Sequence, residues 1–389
     1  MSENVAIVGI GQTFHTAKRP DVSVGELVNE AVQAALEDAQ LNVKDIEAVI
    51  CSNMDFFEGY YLSDLLFNSY NGGYLKAVQK MNTGGTTGGT AASAGWYHIA
   101  SGMHDIIITI AYQKLDEANA TTCMISGYDA IYDRCFGTGA ISMLSAQAVM
   151  YMNNSGCDEE HLAMCRVKSD KNAILNPHAH LKLNLTVEKV LNSRMVVYPL
   201  RLYDLCPTTC GASALIMASE KKAKQITNKP VWYRDTVTVH QESSTPATNV
   251  GKEASTPTQT IAAQKLFKRN GITKPMRDIQ VFEIYSPAMG NELMWLEDFL
   301  ICEKGEAWKL LEKGVWNIDG DFPVNPSGGV VATNPIGATG LIRVAEAALQ
   351  VRGDAGGHQI SREVDKALAS AWGGSNYTVL HLLSKSLSD

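Results

Sequence analysis

The chain has 389 residues, with 33 Lys+Arg against 41 Asp+Glu, a formal charge of −8, 45% apolar and 19% charged residues. That is ample material for a core, because the buried fraction rises with chain size, and a mild acidity without a basic cluster argues against a nucleic-acid partner. No apolar run reaches the roughly 18 residues of a membrane span, and the opening Met1–Phe14 stretch passes from acidic residues straight into a strand pattern, unlike a signal or transit peptide, so a cytoplasmic protein without a membrane partner is expected.

Val5–Gly9 reads as a short buried strand, closed by the turn Gly9-Ile-Gly11. Val24–Ala39 has helical spacing, with Leu27, Val28, Ala31, Ala34, Ala35 and Ala39 on one face. Ile46–Cys51 is the next strand. Gly84–Ala100 opens with glycines and becomes an alanine-rich helix, and Ile106–Ala111 is a fully buried strand. From about 119 to 191 the periodicity weakens and the chain reads as loops with short helices. Strand character returns at Leu215–Ser219 and Val231–Tyr233. Alternating strands and helices predict α/β layers with a substantially parallel sheet.

A faint internal repeat runs through this pattern. The glycine-rich turn at Gly84–Gly89 leads into a helix ending at Ser101-Gly102, and Pro335–Gly340 leads into a helix over Leu341–Val351 ending at Arg352-Gly353. The glycine separations match closely, 14 positions from Gly88 to Gly102 and 13 from Gly340 to Gly353. The turn Asn82–Thr90 lacks the Lys-Ser/Thr pair of a phosphate loop, and no ribose-binding acid follows Gly9-Ile-Gly11 as a dinucleotide fingerprint requires. It offers instead unpaired N–H groups at a positive helix end, where an oxyanion can bind, or close helix packing through small residues.

The eight cysteines are Cys51, Cys123, Cys135, Cys157, Cys165, Cys206, Cys210 and Cys302. None forms a C-x-x-C pair and none lies near an H-x3-5-H, so no metal site is expected within the chain. They read as reduced thiols in core or loop positions.

The C-terminal third carries the decisive pattern. Val324-Asn325-Pro-Ser-Gly328-Gly329, followed by Asn334-Pro335-Ile-Gly337-Ala-Thr-Gly340, resembles the closing motif of thiolase-fold enzymes, N-x-x-G-G then G-H-P-x-G-A-[ST]-G. Val5–Gly11 resembles the thiolase first strand, and Pro199–Ala214 resembles its P-x…D-G-A-A segment. Phe282–Pro287 and Asp298–Gly305 resemble the sterol-carrier-protein-X type of thiolase. This resemblance implies two similar halves, 1–225 and 226–389, stacked as α-β-α-β-α layers, with a loop-rich cover at about 115–195.

The departures from the family pattern are equally specific. The acyl-accepting Cys matches Gly85, the His or Asn of the next motif matches Tyr285, and the His of G-H-P matches Asn334. The second Cys matches Ala371 or Trp372, and the Asp of D-G-A-A matches Cys210. An acyl-enzyme at the glycine-turn helix therefore cannot form. What the resemblance leaves is a set of oxyanion donors: the backbone N–H groups of Gly85 and Gly373, the Asn334 amide and the Tyr285 hydroxyl, each worth about 3–4 kcal/mol to a developing oxyanion.

Three functions follow. The first is a non-standard β-oxoacyl-CoA thiolase, with Cys206, Cys123 or free CoA as nucleophile. The second is a retro-aldolase that splits a β-hydroxyacyl-CoA with Tyr285 as base. The third is a non-catalytic CoA-binding or scaffold subunit. Coenzyme A is the implied substrate or product, with Arg201 and Lys168 expected at its phosphates and Gly328 and Gly329 beside it. The resemblance also implies a homodimer and a small zinc-ribbon/OB-fold partner chain, as in the thiolase subunit that acts on benzoylsuccinyl-CoA.

Overall fold

In the computed structural model, which describes residues 3–59, 68–131, 134, 139–241, 256–373 and 377–387, the first strand is longer than its apolar run. Cys135 lies outside the described residues. β1 spans Val5–Gln12 and α1 spans Val24–Ala39. The two glycines read as a turn lie inside β1. A Cβ on Gly9 would sit 2.5 Å from the Ala35 carbonyl oxygen, and one on Gly11 2.1 Å from that of Ala31. Only hydrogen fits where α1 crosses the strand, so the glycines serve close approach rather than chain reversal. α1 begins at Ser23, whose hydroxyl accepts from the Glu26 N–H while the Glu26 carboxylate accepts from the Ser23 N–H.

The remaining strands are β2 (Ala48–Ser52), β3 (Ala77–Met81), β4 (Ile106–Lys114), a small hairpin of β5 (Met195–Val197) and β6 (Leu200–Arg201), β7 (Cys210–Ser219), β8 (Val231–Val239), β9 (Val281–Glu283), β10 (Lys366–Gly373) and β11 (Tyr377–Ser384). The helices that build the layers are α2 (Thr87–Ala100), α3 (Ala140–Ser155), α4 (Glu159–Leu175), α5 (Thr258–Arg269), α6 (Met289–Asp298) and α7 (Ile336–Arg352).

Nine strands pair in the order β3-β2-β4-β7-β1-β8-β11-β10-β9. The two sides mirror each other about the β1·β8 junction, where Ala6 faces Trp232 and Ile7 faces Val231. The counterpart of β3 is reduced to a bridge between Phe282 and Val324. Equal strand order in both parts gives the faint sequence repeat a structural basis. The sheet is less parallel than expected. Only β2·β3, β2·β4 and β9·β10 run parallel, and the other five neighbouring pairs are antiparallel. In each part only the last strand, β7 or β11, runs against the others, and the two parts meet antiparallel at β1·β8, which a strand–helix alternation does not reveal.

α2 and α7 pack against each other and touch strands from both parts, while α1 covers β1 and β7, and α5 covers β8 and β11. The layers are therefore α1, strands, α2 with α7, strands, α5: an α-β-α-β-α stack. One apolar cluster joins Ile7, Ile107 and Leu215 to Val281, Leu341 and Ala367 across the middle layer. Each fully buried Ile, Leu or Val side chain there contributes about 1.5–3 kcal/mol relative to exposure.

The stretch expected to be loops with short helices also carries two long ones, α3 and α4. α4 buries His161, Arg166, Lys168, Asp170 and Asn172 along with its apolar residues. A helix buried through polar side chains on several faces shows no apolar stripe, which explains the missing periodicity.

Candidate active site

Gly85 sits just before α2, in a turn where Gly84 adopts φ +66°. The Thr87 N–H donates to the Gly84 carbonyl at 3.0 Å, and the Thr86 hydroxyl donates to that of Thr83 at 2.7 Å. A Cβ on Gly85 would lie 2.8 Å from the Trp372 carbonyl oxygen, 3.0 Å from Gly373 Cα and 3.6 Å from the Tyr285 hydroxyl oxygen. Conversely, a Cβ on Gly373 would lie 2.6 Å from the backbone nitrogens of Gly85 and Thr86. The two backbones touch, and no side chain fits between them without moving the end of β10.

The next glycines have a different duty. A Cβ on Gly88 would meet Leu341 N at 2.6 Å, and one on Gly340 would meet Gly89 N at 2.4 Å. The matching glycines of the two repeats thus let α2 and α7 cross in backbone contact. That is the close-packing role weighed from the sequence.

Tyr285 follows β9 and is 2% exposed. Its N–H donates to the Ser370 hydroxyl at 2.9 Å, which ties it to β10. Burial pushes its hydroxyl well above the usual tyrosine range and nearby Cys206 adds to this, while Arg343 and the Thr339 hydroxyl oppose it. Asn334, at the entry to α7, has its amide fixed at both ends. Its Oδ1 accepts from the Thr339 hydroxyl at 2.8 Å, and its Nδ2 donates to the Cys206 sulfur at 3.1 Å. The second Nδ2 hydrogen has no protein acceptor among the described residues. Cys206 is held by its own N–H donating to Pro287 O at 3.0 Å. Burial pushes its thiol up to about 11, with the Asn334 amide pulling the other way. It is a protonated thiol at neutral pH.

Gly85, Gly373, Tyr285, Asn334 and Cys206 thus converge from five separate segments. Ala371 and Trp372, expected from the resemblance at the place of the second thiol, are both packed against neighbours. Ala371 faces α2, where a Cβ on Gly89 would reach it at 2.5 Å, and the Trp372 ring packs on Trp295 at 4.9 Å. Two residues that touch Asn334 escaped the sequence reading: Thr339, and Thr209, whose hydroxyl accepts from the Asn334 N–H. Thr339 belongs to the Gly337-Ala-Thr-Gly340 motif and Thr209 to Cys206–Cys210, so their signal was present as motif membership without an assigned role.

The other expected site residues lie elsewhere. Cys123 is half-buried in a satellite cluster with Met54, Phe57 and Ile336, and among the described residues it makes no hydrogen bond to the Tyr285 group. Arg201 pairs with Glu159 at 2.7 Å and keeps 22% of its side chain exposed. Lys168 is not at a tunnel mouth. Its side chain is 3% exposed, its ammonium meets Glu292 at 2.5 Å and donates to Val324 O at 3.1 Å. A cation enclosed by a carboxylate and a carbonyl cannot reach a phosphate. Gly328 and Gly329 are packing glycines, at φ +95° and +69°. A Cβ on Gly328 would lie 2.6 Å from that of Ala173 in α4.

Among the described residues no group of three His, Cys, Asp or Glu side chains could hold a metal ion, and no helix is long and apolar enough to cross a membrane.

Residues 241–384 match the family described as Thiolase C-terminal domain-like. Over 92% of this chain and 93% of the relative, the sequence is 33% identical to the acetyl-CoA acetyltransferase of Methanothermobacter thermautotrophicus. It is 28% identical to the benzoylsuccinyl-CoA thiolase subunit BbsB of Thauera aromatica, over 74% of each. The fold superposes on the Ltp2-ChsH2(DUF35) aldolase with a TM-score of 0.84, covering 99% of this chain and 98% of that one at 24% identity.

Proposed function

The chain belongs to the thiolase family, and on that premise we propose that it breaks a C–C bond next to a CoA thioester by retro-aldol chemistry, without an acyl-enzyme. One observation carries this reading: the backbone contact of Gly85 with Gly373 excludes a nucleophilic side chain at the helix end, and the Tyr285 hydroxyl lies 3.6 Å from where its Cβ would be. A retro-aldol step needs no protein nucleophile. It needs a group that takes the alcohol proton and donors that hold the thioester enolate.

Tyr285 is the proton-handling group. Burial raises its pKa, so it does not act as a standing phenolate base. It works as a shuttle. The C–C electron pair moves onto the α-carbon to give the enolate, the alcohol proton passes to the Tyr285 oxygen, and the phenol's own proton goes to the enolate carbon. The products are an aldehyde or ketone and a shortened acyl-CoA. The Asn334 amide, with one hydrogen uncommitted, holds the enolate oxygen, and the N–H groups of Gly85 and Gly373 hold the other carbonyl. Arg201 is the phosphate contact, with Glu159 as its resting partner.

A thiolytic reading has one observation in its favour, the Asn334 amide 3.1 Å from the Cys206 sulfur, which stabilises a thiolate there. The two chemistries separate by product. A β-hydroxyacyl-CoA should yield a carbonyl compound with no CoA consumed. If a β-oxoacyl-CoA plus CoA yields two thioesters instead, the thiolase reading replaces ours. Each assay is run with the chain alone and with a DUF35-type protein, because the aldolase that shares this fold carries such a component. Inactivity under all conditions leaves the scaffold role. We also propose a homodimer, which sedimentation tests.

A further inference from the structure

Asn334 is held through its backbone as well as its amide. Its N–H donates to the Thr209 hydroxyl at 3.1 Å, and the same oxygen lies 3.0 Å from His180 Nδ1. Thr209 is fully buried, and His180 lies half-buried in the cover stretch, more than 150 residues before Asn334. The strap that carries His180 is pinned to the same segment. The His180 N–H donates to the Thr333 hydroxyl at 3.0 Å, and the Leu181 N–H donates to Ala332 O at 3.0 Å.

Hydrogen-bond accounting orients the chain. Thr209 has one proton and two lone pairs. It accepts from Asn334, so the arrangement that uses every group has Thr209 donating its proton to an unprotonated Nδ1. His180 is then neutral, with its other nitrogen carrying the hydrogen. Burial also disfavours the charged ring and lowers its pKa.

We propose that His180, acting through Thr209, is a positioning residue that sets the Asn334 amide against Cys206 and the reacting oxygen. The cover stretch thereby helps to build the oxyanion site. This inference rests on the role assigned to Asn334, yet its test does not depend on which reaction the chain performs.

The test is the alkylation rate of Cys206 by iodoacetamide at pH 9 in the full chain, read peptide by peptide with mass spectrometry. Cys123, in its separate cluster, serves as internal reference. The Asn334 amide stabilises the Cys206 thiolate, so loosening Asn334 removes reactive thiolate. Thr209→Val should slow Cys206 about fivefold, the weight of one net hydrogen bond, with Cys123 unchanged. Thr209→Ser, which keeps the hydroxyl, should restore the parent rate. His180→Phe, at a half-exposed position that tolerates the ring, should match Thr209→Val. An unchanged or faster Cys206 in Thr209→Val, or a parent-like rate in His180→Phe, overturns the proposal. Failure of the retro-aldol assay leaves these rates untouched, so the two ideas fall separately.

Discussion

Gly85 and Gly373 meet backbone to backbone, so closely that a Cβ on Gly373 would lie 2.6 Å from the Gly85 nitrogen. Gly85 is therefore not a position that a cysteine can occupy without moving its surroundings. The turn before α2 and the end of β10 have closed over the place a side chain needs.

Gly85→Cys should accordingly destabilise the chain rather than restore an acyl-enzyme. Overpacking of this kind costs about 1–3 kcal/mol, visible as a lower urea midpoint. Intact-mass analysis after incubation with acetyl-CoA should find no covalent acyl group at position 85. A stable adduct there would sink the steric argument.

Tyr285→Phe keeps the ring and removes the proton carrier. The rate of C–C cleavage should fall by about 10²–10⁴, the usual contribution of one acid–base group, while the melting temperature holds. Because burial raises the Tyr285 pKa, any cleavage by the parent chain should show no tyrosine ionisation limb as pH rises towards 10. A titrating limb below that point would contradict the neutral-phenol role.

Lys168→Met tests the corrected assignment of that lysine. Glu292 accepts from Lys168 and also from Asn325 Nδ2 at 2.7 Å and the Ser286 hydroxyl at 3.1 Å. Removing one partner of a buried pair costs about 3–5 kcal/mol, and adding Glu292→Gln should return part of it. CoA affinity by calorimetry should not change beyond the effect of lost stability.

His358 gives the stability a pH signature. Its Nε2 lies 2.7 Å from Glu346 Oε2. Burial opposes the charged ring, but the Glu346 carboxylate outweighs burial and raises the His358 pKa. Glu346 likewise resists ionisation through burial, yet His358 and Arg343 bring it down to about 2. A raised histidine contributes fully below its unfolded value near 6.5 and loses that contribution as pH rises through the folded value. Urea stability should therefore decline on the alkaline side of 6.5, and His358→Gln should flatten that decline. Below 4.5 the Glu346 contribution fades as pH falls towards 2, and buried His15, held down to about 3 chiefly by burial and by His178, adds acid sensitivity from 6.5 downward. An identical alkaline slope in His358→Gln would remove the pair from the account.

The residue order alone carried the layered α/β architecture, because the two glycine-led helices and the strands around them have local signatures: apolar periodicity and small residues where helices pack. The resemblance also set the expectation that Gly85, Asn334 and Ala371 stand where the family has thiol and imidazole side chains, since a motif names the residue type at a position. Three matters needed the folded chain. Whether Gly85 left a space or a contact depends on how β10 ends against the turn before α2, and those segments are almost 290 positions apart. Lys168 has the composition of a surface cation, yet a buried Glu292 from α6 captures it, and burial of a polar helix face leaves no periodic trace. The joining of Asn334 to Cys206, Thr209 and His180 is likewise a fact of distance in space. Local propensity and motif spacing are written in sequence neighbours, whereas the charge, burial and hydrogen-bond partners of a site come from residues that meet only after the layers have packed.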